Sequence, residues 1–213
     1  MYTAVLDLKG KNCLVVGGGR VAVRKTIAFL RAGARVTVVA KECCTRMRSL
    51  AGRITLFERP FEDADIHFGV CLVTGATNDP QCNRAVSRRA EELGIFCNIV
   101  DQPALCSFIV PALVRQGSVT VAITTGGVAP RLTRYLRGVV SRAILPLHGE
   151  LADCLGKVRL RIRRSVPAAS MRAEFWEELF EEDPTEVIAA HGWEGFRCRV
   201  EQITDKYERK AQV

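Results

Sequence analysis

The chain has 213 residues, enough for one full α/β domain, a smaller appendage and a substantial core. Its 48% hydrophobic and 25% charged content is ordinary for a globular protein, and no apolar run approaches the roughly 18 residues needed to span a bilayer, which argues against a membrane partner. The formal charge of +8 is uneven: residues 131–172 hold ten basic side chains against two acids, while residues 173–213 are acidic, so the middle of the chain suits an anionic partner.

The first strong pattern lies near the N-terminus. Residues 5–8 and 13–16 are apolar, and residues 13–25 (CLVVGGGRVAVRK) pass from a strand through three glycines into a helical pattern over residues 21–30. Gly17, Gly19 and Ala22 fill the positions of G-x-G-x-x-G/A. The first allows a tight turn, the second lets backbone approach a pyrophosphate, and the third lets helix and strand pack closely. The free N–H groups and partial positive charge of the helix start then suit phosphates. Residues 34–40 (ARVTVVA) read as a second buried strand.

Strands alternate with helical stretches onward: residues 54–57, residues 69–74 (GVCLVT), a helix over 83–93 closed by Gly94, and a strand over 96–100 (FCNIV). This alternation predicts an α/β fold with a Rossmann-like, doubly wound, mostly parallel sheet. Two β-rich runs follow, residues 107–111 (SFIVP) and 118–124 (SVTVAIT). Beyond Pro130 the pattern turns helical, with Leu132, Leu136, Val139, Val140 and Ala143 on one arc and Arg131, Arg134, Arg137 and Arg142 opposite. Residues 157–164 (KVRLRIRR) alternate as a strand would, yet Leu151, Leu155, Val158 and Ile162 share one helical face, and helix is the better fit. Pro167 marks a break, residues 174–183 read as another helix, and Pro184 is expected to end it.

Nine cysteines, an odd number, lack C-x-x-C or a Cys/His ligand pair. They read as reduced thiols in a cytoplasm, with no disulfide framework and no metal site expected. The start, MYTAVLDLKGKN, lacks the layout of a secretory signal. No helix-turn-helix, zinc finger or aromatic RNA motif accompanies the basic middle, so nucleic acid is not the expected partner.

Three further segments narrow the reading: Asn98-Ile99-Val100-Asp101 followed by Pro103, then SFIVP, then Thr125-Gly126-Gly127-Val128-Ala129-Pro130-Arg131-Leu132. With VVGGGRVAVRK, this series resembles the precorrin-2 dehydrogenase/sirohydrochlorin ferrochelatase family, the N-terminal module of siroheme synthase. The resemblance spans nearly the whole chain and is strongest over residues 1–146. It implies NAD-dependent dehydrogenation of precorrin-2 to sirohydrochlorin, with ferrous iron insertion as a second activity that some members carry and no local feature decides. It also implies a homodimer, and the expected division is an NAD-binding domain over 1–112, a dimerisation region over 113–148 and a small helical domain over 149–213. A substrate with eight carboxylates agrees with the arginine-rich middle.

The family's implicated aspartate corresponds to Asp101. It follows the end of a parallel strand, at the sheet edge where open α/β folds bind ligands, and a carboxylate there can act as a base. Asp101 as a mere cap of the following turn remains the other reading. The resemblance carries Gly17, Gly18, Gly19, Arg20 and Val21 to the pyrophosphate and Ala40, Lys41 and Glu42 to the adenosine ribose. It places Thr74, Gly75, Ala76 and Thr77 along the cofactor, and Thr125, Gly126, Gly127, Arg131 and Arg134 with the substrate. The usual ribose-binding acid after the second strand is absent, and Lys41 in its place leaves NADP open beside NAD. The rival class is a regulatory NAD-sensing domain without catalysis.

Overall fold

Alternating burial builds the first sheet. In β1 (Asn12–Val16), Cys13 and Val15 join one hydrophobic cluster while Leu14 and Val16 join a second, and all four are buried. The same division recurs in β2 (Arg35–Ala40) and β4 (Val70–Gly75), whose neighbouring residues serve opposite clusters. A sheet buried on both faces needs a helix layer on each, and near-continuous apolar strands are its signature. The helix α1 (Arg20–Arg31) covers one face through Ala22, Val23 and Phe29, and α3 (Pro80–Glu92) covers the other through Val86 and Ala90. With β3 (Thr55–Glu58) and β5 (Phe96–Ile99), the strands pair in parallel in the order β3-β2-β1-β4-β5, the doubly wound arrangement expected. A one-turn helix, α2 (Thr45–Arg48), packs Met47 under α1.

The computed structural model describes residues 2–212 and divides into two units. The first runs to Val110 and takes in Gly126–Val128; the second comprises Pro111–Thr125 and the chain from Ala129 onward.

In the second unit, β6 (Ala112–Gln116) and β7 (Val119–Ile123) form an antiparallel hairpin. Its turn lies against α5 (Pro146–Ser165) at a close approach: an ideal Cβ on Gly117 would come within 3.1 Å of Gly149 Cα, and Ser118 bonds Asp153. Before it comes α4 (Pro130–Ala143), and after it α6 (Ala169–Leu179) and α7 (Pro184–Lys210), the last broken at Gly192. Phe175, Leu179, Phe196 and Ile162 form the heart of this unit's core. Arg161 of α5 ties to Glu201, Asp205 and Glu208 of α7.

The apolar residues 5–8 lie outside any strand, and of them only Leu8 is buried. Two expectations need correction. Residues 107–111 are not a strand. Ser107 and Phe108 donate backbone bonds to Cys97, and regular pairing begins one residue after Pro111. Pro184 begins a helix instead of ending one: Asp183 accepts from the Thr185 amide as the cap, and proline takes the first helical position, where its missing N–H costs nothing.

Candidate functional site

The turn from β1 to α1 is made possible by missing side chains. Gly17 sits at φ 127°, and a Cβ there would overlap the carbonyl of Ala76; a Cβ on Gly18 would overlap the carbonyl of Glu42. The loops after β2 and β4 therefore close directly onto the glycine turn. The Gly17 amide donates to Val39 (2.8 Å), Cys44 to Gly18 (3.0 Å), and Ala76 to Val16 (2.8 Å). Gly19, the residue before α1, offers the reverse case: a Cβ there would meet no protein atom within 4 Å. The turn keeps that space clear, and the first-turn amides of α1 lack intrahelical acceptors. Ala22 is fully buried, as its packing role requires.

A cavity of about 580 Å³ opens over this turn at the carboxyl edge of the sheet, a volume typical of small-ligand sites. Gly17, Gly18, Gly19, Arg20, Val21, Ala40, Lys41, Glu42, Ala76 and Thr77 all line it, so ten of the twelve expected cofactor residues are brought together. The other two are not. Thr74 is buried within β4, and Gly75 lies beneath the wall, where an ideal Cβ would come within 2.5 Å of Ile99. Phe61 and Asp79 line the cavity without having been expected. Asp79 precedes Pro80 and accepts from the Gln81 and Cys82 amides (2.9 and 3.2 Å), a cap signal legible in Asp-Pro. A clear glycine turn, unpartnered helix-start amides and a cavity of this size fit a dinucleotide.

Asp101 lies just past β5 in a turn closed by Gln102 donating to Ile99 (3.4 Å). Its φ of 59° makes it the one non-glycine residue in the left-handed region among the described residues. Aspartate tolerates that region better than most side chains, though at some cost, and such outliers cluster at functional sites. Its carboxylate accepts no hydrogen bond among the described residues, and the short helix over Pro103–Leu105 has no side-chain cap.

Lys25, on α1, was singled out by nothing but its place in the motif. Its ammonium donates to Asn98 Oδ1 at 2.8 Å, and Asn98 Nδ2 donates to the Phe108 carbonyl at 3.1 Å. Burial holds the Lys25 ammonium below its ordinary 10.5, with Arg24 adding to the effect; Cys106 and Asp101 act in the opposite sense. A buried asparagine in an otherwise apolar strand was the available signal that such a partner exists.

In the second unit, the Thr125 hydroxyl accepts from the Ala129 amide (3.1 Å) and lies 3.0 Å from the Thr133 hydroxyl, fixing the entry to α4. Gly126 and Gly127 have φ of 65° and 87°. Arg131 and Arg134 are exposed along α4. Among the described residues, no cluster of three or more His, Cys, Asp and Glu is placed to hold a metal ion. All nine cysteines are free thiols, and no helix among the described residues is long and apolar enough to cross a membrane.

A parallel sheet in this strand order, with a glycine turn under a cavity at its carboxyl edge, defines a Rossmann-type dinucleotide-binding protein. Residues 4–112 match a family model for NAD(P)-binding, and residues 148–209 match the sirohaem synthase dimerisation region. The chain belongs to the siroheme synthase family of NAD(P)-binding proteins. It is 41% identical over 189 residues to a siroheme synthase of Thioalkalivibrio sulfidiphilus, covering 88% of this chain and 38% of that protein. A siroheme synthase of Methylobacillus flagellatus is 39% identical over 200 residues, covering 93% and 43%. The chain thus spans about two fifths of the length of these relatives. Among solved structures, SirC, a precorrin-2 dehydrogenase, superposes with a TM-score of 0.80 at 27% identity, covering 95% of this chain and 100% of that one.

Proposed function

We propose that this chain dehydrogenates precorrin-2 to sirohydrochlorin, with NAD as the hydride acceptor and Asp101 as the base. The observation that carries the reading is the likeness of nearly the whole chain to a solved precorrin-2 dehydrogenase, where siroheme synthases match it over only part of their length. NAD, when bound, supplies the ring that accepts a hydride. The glycine turn and the first amides of α1 bind the pyrophosphate, and Ala40, Lys41 and Glu42 take the adenosine end. Oxidation removes two electrons and two protons: one proton leaves with the electron pair as hydride, and the Asp101 carboxylate takes the other. Lys25 and Asn98 hold the end of β5 from which Asp101 projects. Thr125, Gly126, Gly127, Arg131 and Arg134 bind the carboxylate-rich macrocycle, guanidinium groups being suited to paired contacts with carboxylates.

The assay is direct. With NAD and precorrin-2, sirohydrochlorin absorption is expected to appear with one equivalent of NADH. NAD binding without that product would leave the NAD-sensing reading standing and refute this one. Ferrous iron, in the chelation that follows, is a substrate seated by the macrocycle nitrogens, with Asp101 again accepting protons. Insertion at the spontaneous rate would remove that second step.

The same reading makes the protein a cytoplasmic homodimer. No residue of α4 is buried, and Leu132, Tyr135 and Val139 on it are 47%, 66% and 38% exposed, an apolar stripe consistent with a second copy. Sedimentation as a monomer across a wide concentration range would contradict it.

A further inference from the structure

The adenosine end of the cavity carries an inverted charge pattern. Dinucleotide folds that select NAD usually place an acid at the tip of the second strand, where it accepts from the ribose hydroxyls; a base there favours the 2′-phosphate of NADP. Here β2 ends at Ala40, and Lys41 follows. Read alone, that cation favours NADP. It is not alone: Asp79, arriving from the β4–α3 loop, places Oδ2 at 3.7 Å from Lys41 Nζ, and both residues line the cavity.

We propose that Asp79 is the specificity-determining residue of this site. In pairing with Lys41 it stands in for the missing strand-tip acid and selects NAD over NADP. The inference rests on the nucleotide-site reading above and extends it.

Asp79 is held for the task by its own loop. Its Oδ1 accepts from the Gln81 and Cys82 amides, and its amide donates to the Thr77 hydroxyl at 3.1 Å, so only Oδ2 remains for Lys41 and the cavity. The pair is not there for stability. Its side chains are 67% and 44% exposed, and exposed pairs of that kind contribute little. A pair so weakly committed is readily re-partnered by a ligand. Ribose hydroxyls gain an acceptor from Asp79, whereas a 2′-phosphate meets a carboxylate and a lysine already neutralised.

The test measures binding, without tetrapyrrole, by titrating the full chain with NADH and with NADPH. Asp79→Asn removes the charge but keeps the helix cap, since asparagine caps as well as aspartate. The parent is expected to prefer NADH, and Asp79→Asn to shift the ratio toward NADPH by about tenfold or more. Lys41→Ala is expected to move it the other way, and the double variant to lose the NADPH gain, because that gain needs the freed lysine. Should Asp79→Asn fail to fold, the shift in Lys41→Ala still decides. If both nucleotides bind and neither variant moves the ratio beyond about twofold, the proposal is overturned. If the folded parent binds neither nucleotide, the nucleotide site itself is wrong and the proposal falls with it.

Discussion

Substitution at Asp101 separates chemistry from conformation, because the residue carries both a free carboxylate and a left-handed backbone. Asparagine tolerates φ near 59° as aspartate does, so Asp101→Asn removes the proposed base and leaves the turn. Loss of a positioned general base costs about 10²–10⁴-fold in rate, which corresponds to roughly 3–5 kcal/mol of barrier. Asp101→Ala removes the same carboxylate and keeps a Cβ in the left-handed region without the polar group that eases it, adding part of the roughly 1–2 kcal/mol that the region costs an L-residue. The expected results are therefore unequal. Both variants lose dehydrogenation by a similar factor while NAD binding persists, and only the alanine variant also unfolds at lower denaturant. The measurements are single-turnover NADH formation and urea unfolding of each variant. An asparagine variant that reacts within a few-fold of the parent would refute the argument. If alanine alone were slow, Asp101 would serve by shaping the turn and not by taking a proton.

Four further outcomes follow from the same geometry. Gly18→Ala sets a Cβ against the Glu42 backbone and should weaken both NAD binding and stability, the latter by about 1–3 kcal/mol as overpacking does; Gly19→Ala, with open space before it, should weaken NAD binding at unchanged stability, which calorimetry and urea melts would resolve. Lys25→Met leaves Asn98 Oδ1 without its donor and should cost about 1–3 kcal/mol, with Lys25→Arg recovering part of it in the same urea assay. Phe175→Ala, in the core of the helical unit, should destabilise that unit by about 3–5 kcal/mol without changing NAD affinity. At alkaline pH the buried thiols act against the fold. Burial pushes Cys13 up to about 11 and Cys97 up to about 12, against 9.0 in the unfolded chain. Their contribution is whole below pH 9 and is lost as pH rises through the native values, because the unfolded chain has already released those protons. Cys97→Val should flatten that decline in pH-dependent melts.

What was legible in the sequence follows the range of the forces involved. The five parallel strands, the glycine turn and most of the cavity wall are local: each is written in a run of apolar residues or a glycine spacing, and burial merely confirms the run. The misreadings concern partnership. SFIVP reads as β-rich as a true strand, but a strand needs a neighbour to take its backbone bonds, and a single segment does not reveal whether one exists. Asp183-Pro184 holds a start signal identical in kind to Asp79-Pro80. Proline alone suggested a stop; proline after a capping acid indicates a beginning. The site divides in the same way. Gly17, Gly18 and Gly19 act through backbone geometry that their spacing already dictates, whereas Lys25 with Asn98 and Lys41 with Asp79 are pairs joined across sequence separations of 73 and 38 residues. Such pairs exist only once the sheet has brought its strand ends to one edge. Charge at a strand tip is therefore incomplete evidence of ligand preference, because the fold can deliver the countercharge from another loop. In this chain, Lys41 read alone and Lys41 read with Asp79 point to opposite cofactors.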